Sequence, residues 1–399
     1  MEKFQQQIGV GTANISEKAK KYVNDVLDSG RLSYGKYIKE FEKRFGEAHG
    51  VKYAVMMNSG TSALRLALAC LKEVHKWDEA AEIILPAVTF ISDFNVIVDQ
   101  GLKPVFADVE RESYNLDPKE AAKKITANTK AIMAVNLFGQ PADLGPIKEI
   151  CIKHNLKLIE DSCETMFVSY GGKPVGSFGD ISCFSTYMAH LLTSGVGGLA
   201  LTDNEEYAVI LRSLMNHGRD SIYLSIDDDK NLSQEDLTKV VSRRFSFVRP
   251  GYSFRVTEME GALALAQLEE KDKILRGRAE CALYYTEQLK PFENFIQLPR
   301  VRPEREHAYM MFPIVVKDKN IVKNDLVMFL EEHNIETRDM LPLINQPVVK
   351  KHFGEIEAQY PVAEWINKNG FYIGCHEKIS PKEREYVIAV FKEFFNNII

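Results

Sequence analysis

The stretch YAVMMNSGTSALRLAL, Tyr53–Leu68, decides the fold class. Tyr53–Asn58 reads as a buried strand that stops at Ser-Gly-Thr-Ser, and a helix runs from about Ser62 to Val74. The same unit repeats along the chain. Strand-like Glu82–Pro86 precedes a helix near Ser92–Gln100 closed by Gly101, and Pro104–Val109 is the next strand. Asp117-Pro118 opens a helix, with Asp as N-cap and Pro in the first turn. Lys130–Phe138, Leu144–His154, Lys157–Asp161 and Ile181–Tyr187 then read as strand, helix, strand and strand. This alternation predicts an α/β fold with a mostly parallel, helix-covered sheet. In such sheets, ligands bind beyond the carboxyl ends of the strands.

Farther along, Asp220–Lys239 is acidic and polar, as expected of an exposed loop or a subunit contact. A long helical pattern runs from Thr257 to about Leu289. Beyond Phe292 the chain changes character, with a strand at Met310–Val316 and helices near Lys323–His333 and Pro381–Asn397. The expected division is a large domain over residues 1–255, then a long helix and a small C-terminal α+β domain over 256–399.

The 399 residues carry a formal charge of −6, which speaks against nucleic acid or an anionic membrane as partner. No apolar run approaches the roughly 18–20 residues that span a bilayer, and the first residues lack the shape of a signal peptide, so a cytoplasmic protein is expected. Cysteines stand at 70, 151, 163, 183, 281 and 375 with no C-x-x-C spacing. Buried free thiols are expected, and no metal site.

Five stretches hold residue types that suit chemistry. In NSGTSALRLAL, Gly60, Thr61 and Ser62 sit where a helix N-terminus can hold phosphate. In LIEDSCET, Glu160 and Asp161 stand at a strand end, where a carboxylate can pair with a protonated ring nitrogen or a metal. In LPAVTFISDF, Phe90 can stack on a flat ligand. In STYMAHLLTSGVGG, Ser185 can donate to phosphate and His190 can move a proton. In NHGRDSIY, His217 and Arg219 follow a helix end, and Arg suits carboxylate or phosphate. Read singly, each of these has an ordinary structural explanation as a cap, a core aromatic or a surface charge.

Together, their order resembles the DegT/DnrJ/EryC1/StrS family of sugar-modifying enzymes. The likeness spans nearly the whole chain, from SGRLSYGKYIKEFEKRF at Ser29–Phe45 through KPVFADV, NLFGQPADL, GSFGDISCFS and GYSFRVTEMEGALALAQL to GFYIGCH at Gly370–His376. The resemblance implies the aspartate-aminotransferase-like fold type I, pyridoxal phosphate as coenzyme, and a homodimer with shared active sites. It also implies that Gly60, Thr61, Ser62 and Ser185 cradle the phosphate, Phe90 stacks on the ring and Asp161 holds its nitrogen protonated. Ser253 falls where the family has a phosphate-binding Asn from the neighbouring chain, and Glu164 where it has Gln beside the coenzyme. Tyr34, Arg219 and Arg255 are the substrate candidates.

The departure is at His190, where family aminotransferases carry the lysine that tethers the coenzyme. No lysine lies between Pro174 and Asp229, so a shifted register cannot supply one. The coenzyme is then held without a covalent bond, as pyridoxal or pyridoxamine phosphate. The same replacement marks the 3-dehydratases of 4-keto-6-deoxy nucleotide sugars, in which His is the base and the C3 hydroxyl leaves. The chain has no cysteine from Phe184 to Glu280, so it resembles the branch without an iron–sulfur cluster, which restores pyridoxamine phosphate with glutamate. The alternatives are a sugar aminotransferase lacking the usual lysine and a non-catalytic relative that binds coenzyme or sugar.

Overall fold

The computed structural model describes residues 4–13, 15–220, 233–243 and 245–397. Its large sheet has seven strands: β1 (Tyr53–Met57), β2 (Glu82–Pro86), β3 (Lys103–Ala107), β4 (Thr129–Val135), β5 (Lys157–Asp161), β8 (Ile181–Ser185) and β9 (Gly198–Thr202). Two short strands, β6 (Ser169–Tyr170) and β7 (Lys173–Pro174), form a separate hairpin. The order across the large sheet is β1-β9-β8-β5-β4-β2-β3. Strand β9 alone runs antiparallel to its neighbours β1 and β8. It is reached from β8 through the loop Thr186–Gly197 with no helical crossover, so the chain must turn back. Strands β4, β8 and β9 are buried almost throughout, as sheets covered by helices on both faces require.

Local chemistry sets the helix ends. Helix α1 (Glu17–Ser29) ends at Gly30 and α2 (Lys36–Ala48) starts after Gly35. Helix α3 (Gly60–His75) is capped by Ser59, whose Oγ accepts the Ser62 N–H at 3.0 Å. Helices α4 (Ile91–Asp99), α5 (Pro118–Lys123), α6 (Leu144–His154) and α7 (Glu205–Met215) complete the crossovers and the cover. Asp117 caps α5 through the Lys119 N–H at 2.8 Å, as its sequence predicts. Residues 221–232 of the expected acidic loop lie outside the described residues, and α8 (Gln234–Arg243) follows them.

The long helix expected over Thr257–Leu289 is two helices, α9 (Glu258–Glu269) and α10 (Lys271–Leu289), broken at Glu270. The halves serve different cores. Helix α9 packs on α1 and α2, whereas Cys281, Ala282, Tyr285 and Leu289 of α10 enter a second core. That core lies against a four-stranded antiparallel sheet of β10 (Ile296–Gln297), β11 (Phe312–Val316), β12 (Thr337–Asp339) and β13 (Gly370–Ile373), ordered β10-β11-β13-β12. Helices α11 (Lys323–Glu332) and α14 (Pro381–Asn396) fill it with Leu326, Leu330, Phe391 and Phe395. Helices α12 (Pro347–Phe353) and α13 (Pro361–Asn369) instead bring Val349 and Ile366 to the main core. No helix among the described residues is long and apolar enough to cross a membrane.

Two buried polar groups tie the large sheet to its helices. Glu42 of α2 accepts both Nη atoms of Arg212, at 3.2 and 2.8 Å, and the Met56 N–H at 2.7 Å, joining α2, α7 and β1. His49 lies fully buried among Phe45, Phe167 and Phe184, its Nδ1 2.6 Å from the Val175 carbonyl. Burial lowers its pKa from 6.5 to about 4, with the carbonyl opposing the shift. A His held neutral in the fold costs stability below the unfolded pKa, because only the unfolded chain can bind the proton. The stability difference between the protein and its His49→Phe variant should therefore be flat above pH 6.5. Below that it should move in the variant's favour by at most about 3 kcal/mol, levelling off near pH 4. Urea unfolding at stepped pH measures this, and a difference that stays flat from pH 7 to 4 rules out the neutral buried imidazole.

Candidate active site

A cavity of about 410 Å³ opens at the carboxyl ends of β1, β2, β5 and β8, where the β-α alternation predicts a ligand. It gathers Gly60, Thr61, Phe90, Asp161, Glu164, Ser185 and His190 from separate parts of the chain. Met310, Met311, Leu341 and Tyr372 line its opposite side from the region of the small sheet.

One end is a helix N-terminus. Gly60 and Thr61 start α3 at the cavity wall. A Cβ on Gly60 would come within 2.7 Å of Cys163 Sγ and 2.8 Å of Ser185 Cβ, so glycine alone lets the helix end approach Ser185. Unpaired backbone N–H groups and the Thr61 and Ser185 hydroxyls then form a donor set suited to phosphate. Ser62 is not on the wall. Its Oγ donates to Asn58 Oδ1 at 2.7 Å, and the residue braces the turn from behind.

The other end is acidic. Strand alternation separates the two carboxylates that the sequence leaves equivalent. Glu160 turns away from the cavity and accepts N–H bonds from Gly176, Phe178 and Gly179 at 2.5, 3.2 and 3.2 Å, bracing the turn that leads into β8. Asp161 faces the cavity, with Oδ1 accepting the Cys163 N–H at 3.0 Å. Burial raises its pKa, and the bonds from Cys163 oppose the rise. Glu164 stands beside it, bonded to the Phe138 N–H at 2.8 Å. Burial pushes its pKa up to about 7, the Phe138 bond opposes this and the charge on Asp161 adds to it.

His190 follows a turn closed by its own N–H to the Tyr187 carbonyl at 2.9 Å. Its ring meets Tyr187 edge-on, with centroids 6.3 Å apart. Nδ1 is buried and has no protein partner. Burial, then the charge of Arg278, lowers its pKa to about 4, against the Cys163 carbonyl. These effects favour the neutral imidazole at physiological pH. Phe90, the N-cap residue of α4, is 55% exposed at the cavity wall, where one ring face can meet a flat ligand. Among the described residues, no lysine lines the cavity.

Four predicted residues lie elsewhere. Arg255 Nη2 donates to Ser253 Oγ at 3.1 Å and to His217 Nε2 at 3.2 Å. The Arg219 guanidinium lies over the rings of Phe245 and Phe247, 5.8 and 5.9 Å from their centroids. This cluster is linked to the cavity wall through Phe254, whose carbonyl accepts the Asn58 N–H at 2.8 Å. Tyr34 is engaged structurally: its hydroxyl donates to Glu42 at 2.8 Å. Sequence reasoning missed Thr89, Cys163 and the small-sheet residues on the wall, and Asp93 behind Asp161. Asp93 had a signal, an acid in the first turn of an apolar helix. Met310, Leu341 and Tyr372 had none, because only tertiary packing brings them here. No group of His, Cys, Asp and Glu able to hold a metal occurs among the described residues.

The arrangement fits a phosphorylated, flat heteroaromatic coenzyme: donors at one end, an acid for the ring nitrogen at the other, and the Phe90 ring on the wall. Comparison with known proteins agrees. The chain is 30% identical to GDP-perosamine synthase of Vibrio cholerae over 393 residues, 98% of this chain and 100% of that protein. It is also 30% identical to GDP-4-keto-6-deoxy-D-mannose 3-dehydratase of Escherichia coli O55:H7 over 378 residues, 93% of this chain and 96% of that one. A solved GDP-4-keto-6-deoxymannose-3-dehydratase with a trapped PLP-glutamate geminal diamine superposes with a TM-score of 0.84 at 28% identity, over 96% of this chain and 99% of that one. The fold is that of the fold type I pyridoxal-phosphate enzymes, a large mostly parallel sheet with a smaller C-terminal domain. The chain belongs to the DegT/DnrJ/EryC1/StrS aminotransferase family, which matches residues 13–392.

Proposed function

We propose that this chain removes the C3 hydroxyl of a 4-keto-6-deoxy nucleotide sugar, with a GDP-sugar as the first candidate, using pyridoxamine phosphate restored by glutamate. The observation that carries the reading is His190: an imidazole that burial favours in its neutral form, on the wall of a cavity that no lysine lines among the described residues. The two 30% identical relatives act on GDP-sugars by name, and the solved dehydratase holds a coenzyme–glutamate adduct.

The coenzyme supplies an amine that condenses with the sugar's keto carbon and a ring that takes up an electron pair. Asp161 pairs with the ring nitrogen and favours its protonated form. Gly60, Thr61 and Ser185 hold the phosphate, and Phe90 covers a ring face. With no lysine to tether the coenzyme, these contacts alone retain it. Ser62 supports the phosphate turn from behind. His190, neutral at rest, accepts the proton that must leave carbon before the C3 hydroxyl departs. Glu164 lies beside Asp161 with a pKa near 7, so it can hold or give a proton at the same pH.

A homodimer completes the site in this reading. Ser253, Arg219 and Arg255 lie outside their own chain's cavity and would reach the partner's phosphate or sugar. A second reading, transfer of an amine to the sugar, is favoured by the equal likeness to GDP-perosamine synthase. In it, Glu164 would share the proton work of the absent lysine.

Product analysis separates the two. The protein is incubated with pyridoxal phosphate, glutamate and a panel of 4-keto-6-deoxy nucleotide sugars. Dehydration yields a product one oxygen lighter than its parent, with one ammonia and one 2-oxoglutarate. Amine transfer yields 2-oxoglutarate without ammonia and a sugar carrying new nitrogen, and that result would reject the dehydratase reading.

His190→Asn should lower turnover by about 10²- to 10⁴-fold, the usual share of a general base, while pyridoxamine phosphate still binds within a few-fold. Turnover within threefold of the parent would remove His190 from the chemistry. His190→Lys should attach pyridoxal phosphate covalently, seen as a mass increment after borohydride reduction. No increment would mean that position 190 does not face the coenzyme's reactive carbon.

A further inference from the structure

Asp93 sits in the first turn of α4 with no exposed surface. Thr89 Oγ1 donates to its Oδ2 at 2.5 Å. Its other oxygen, Oδ1, is buried and has no donor. The group that acts on Asp93 most strongly after burial is Asp161, another carboxyl. Glu164, a third carboxyl, acts on it in the same sense.

Two ionised carboxylates cannot bond to each other. They would place two like charges side by side in a buried site and leave Oδ1 unsatisfied, which is costly on both counts. One proton removes both costs. It turns Oδ1 into a donor and Asp161 into its acceptor, with Thr89 still satisfied at Oδ2. We propose that Asp93 and Asp161 share one proton, carried on Asp93 Oδ1, so that Asp161 presents the pair's single negative charge to the cavity.

Asp93 is then a positioning residue that acts through Asp161. It orients the Asp161 carboxylate and keeps the pair's charge at −1. Burial and the two neighbouring carboxylates hold its pKa well above the usual carboxylate range, whereas Thr89 and the α4 N-terminus favour the anion. The inference rests on the reading of Asp161 as the partner of the coenzyme's ring nitrogen. The proton itself can be tested without the coenzyme.

Asn at position 93 keeps a neutral donor toward Asp161 and an acceptor toward Thr89. Ala keeps neither. Infrared difference spectra of the coenzyme-free protein at pH 7, parent minus Asp93→Asn, should show a carboxylic-acid C=O stretch that the variant lacks. Pyridoxamine phosphate should bind Asp93→Asn within threefold of the parent, with the same dependence of its absorbance on pH. Asp93→Ala should bind it on the order of tenfold more weakly. Absence of the acid band overturns the proposal, as does Asp93→Asn binding as poorly as Asp93→Ala. A band that behaves as expected in a protein that binds no pyridoxamine phosphate would instead defeat the coenzyme reading and leave the shared proton standing.

Discussion

A methyl group on Gly198 would lie 2.3 Å from the Ser59 carbonyl carbon, and one on Gly197 would lie 2.3 Å from Thr186 Oγ1. Both distances are far below contact. The start of β9 is thus pressed against the first turn of α3, and the rest of the cavity depends on that approach. It fixes Ser59 as the cap of α3, places Gly60 and Thr61 at the wall, and sets Ser185 of the paired strand β8 opposite them. Strand β8 also pairs with β5, so the register that places Ser185 places Asp161 as well. The helix-terminus end and the acidic end of the site are therefore one construction. The glycines that the sequence offers as a loop feature serve this packing, and Gly197, at φ 152°, holds a conformation other residues rarely adopt.

The sequence shows those parts of the fold that local chemistry determines. Glu82–Pro86, Leu144–His154 and Lys157–Asp161 agree to the residue, because caps and strand alternation are written beside the elements they bound. The break at Glu270 is not visible locally, since polar and apolar residues continue at helical spacing through it. Which core each half joins decides the bend, and that choice is tertiary. Glu160 and Asp161 show the same limit at the site. Both are buried strand-end carboxylates, and only the turn at Gly176–Gly179 reveals which one is spent on backbone N–H groups. Tyr34 stands in a stretch shared with the family, yet its hydroxyl is bonded to the Glu42 carboxylate. The link between Asp93 and Asp161 crosses from α4 to β5 and carries no sequence spacing at all.

In the proposed reading, His190 in place of the family's lysine changes what the rest of the site must do. A tethered coenzyme tolerates weak non-covalent contacts, because the chain holds it in place. An untethered one depends on phosphate donors, ring stacking and the charge at Asp161. The residues that would make those contacts sit on rigid elements: a helix N-terminus, two strand ends and a turn. The imidazole cannot replace the covalent bond, but in this reading it takes the proton-accepting role in a form that is neutral from the outset.

That neutrality has a cause in the small domain. Arg278 of α10 is buried and donates to the carbonyls of Met310 and Cys375, at 2.8 and 2.9 Å, tying α10 to the chain around β11 and β13. Its charge disfavours the imidazolium at His190, after burial itself. An anionic ligand in the cavity would act in the opposite sense and stabilise the imidazolium once it forms. In the proposed reading, His190 would be a weak base in the protein alone and a stronger one beside a phosphorylated coenzyme. Binding and basicity would then be coupled through the same charges, so that proton uptake is favoured where there is a ligand to give the proton up.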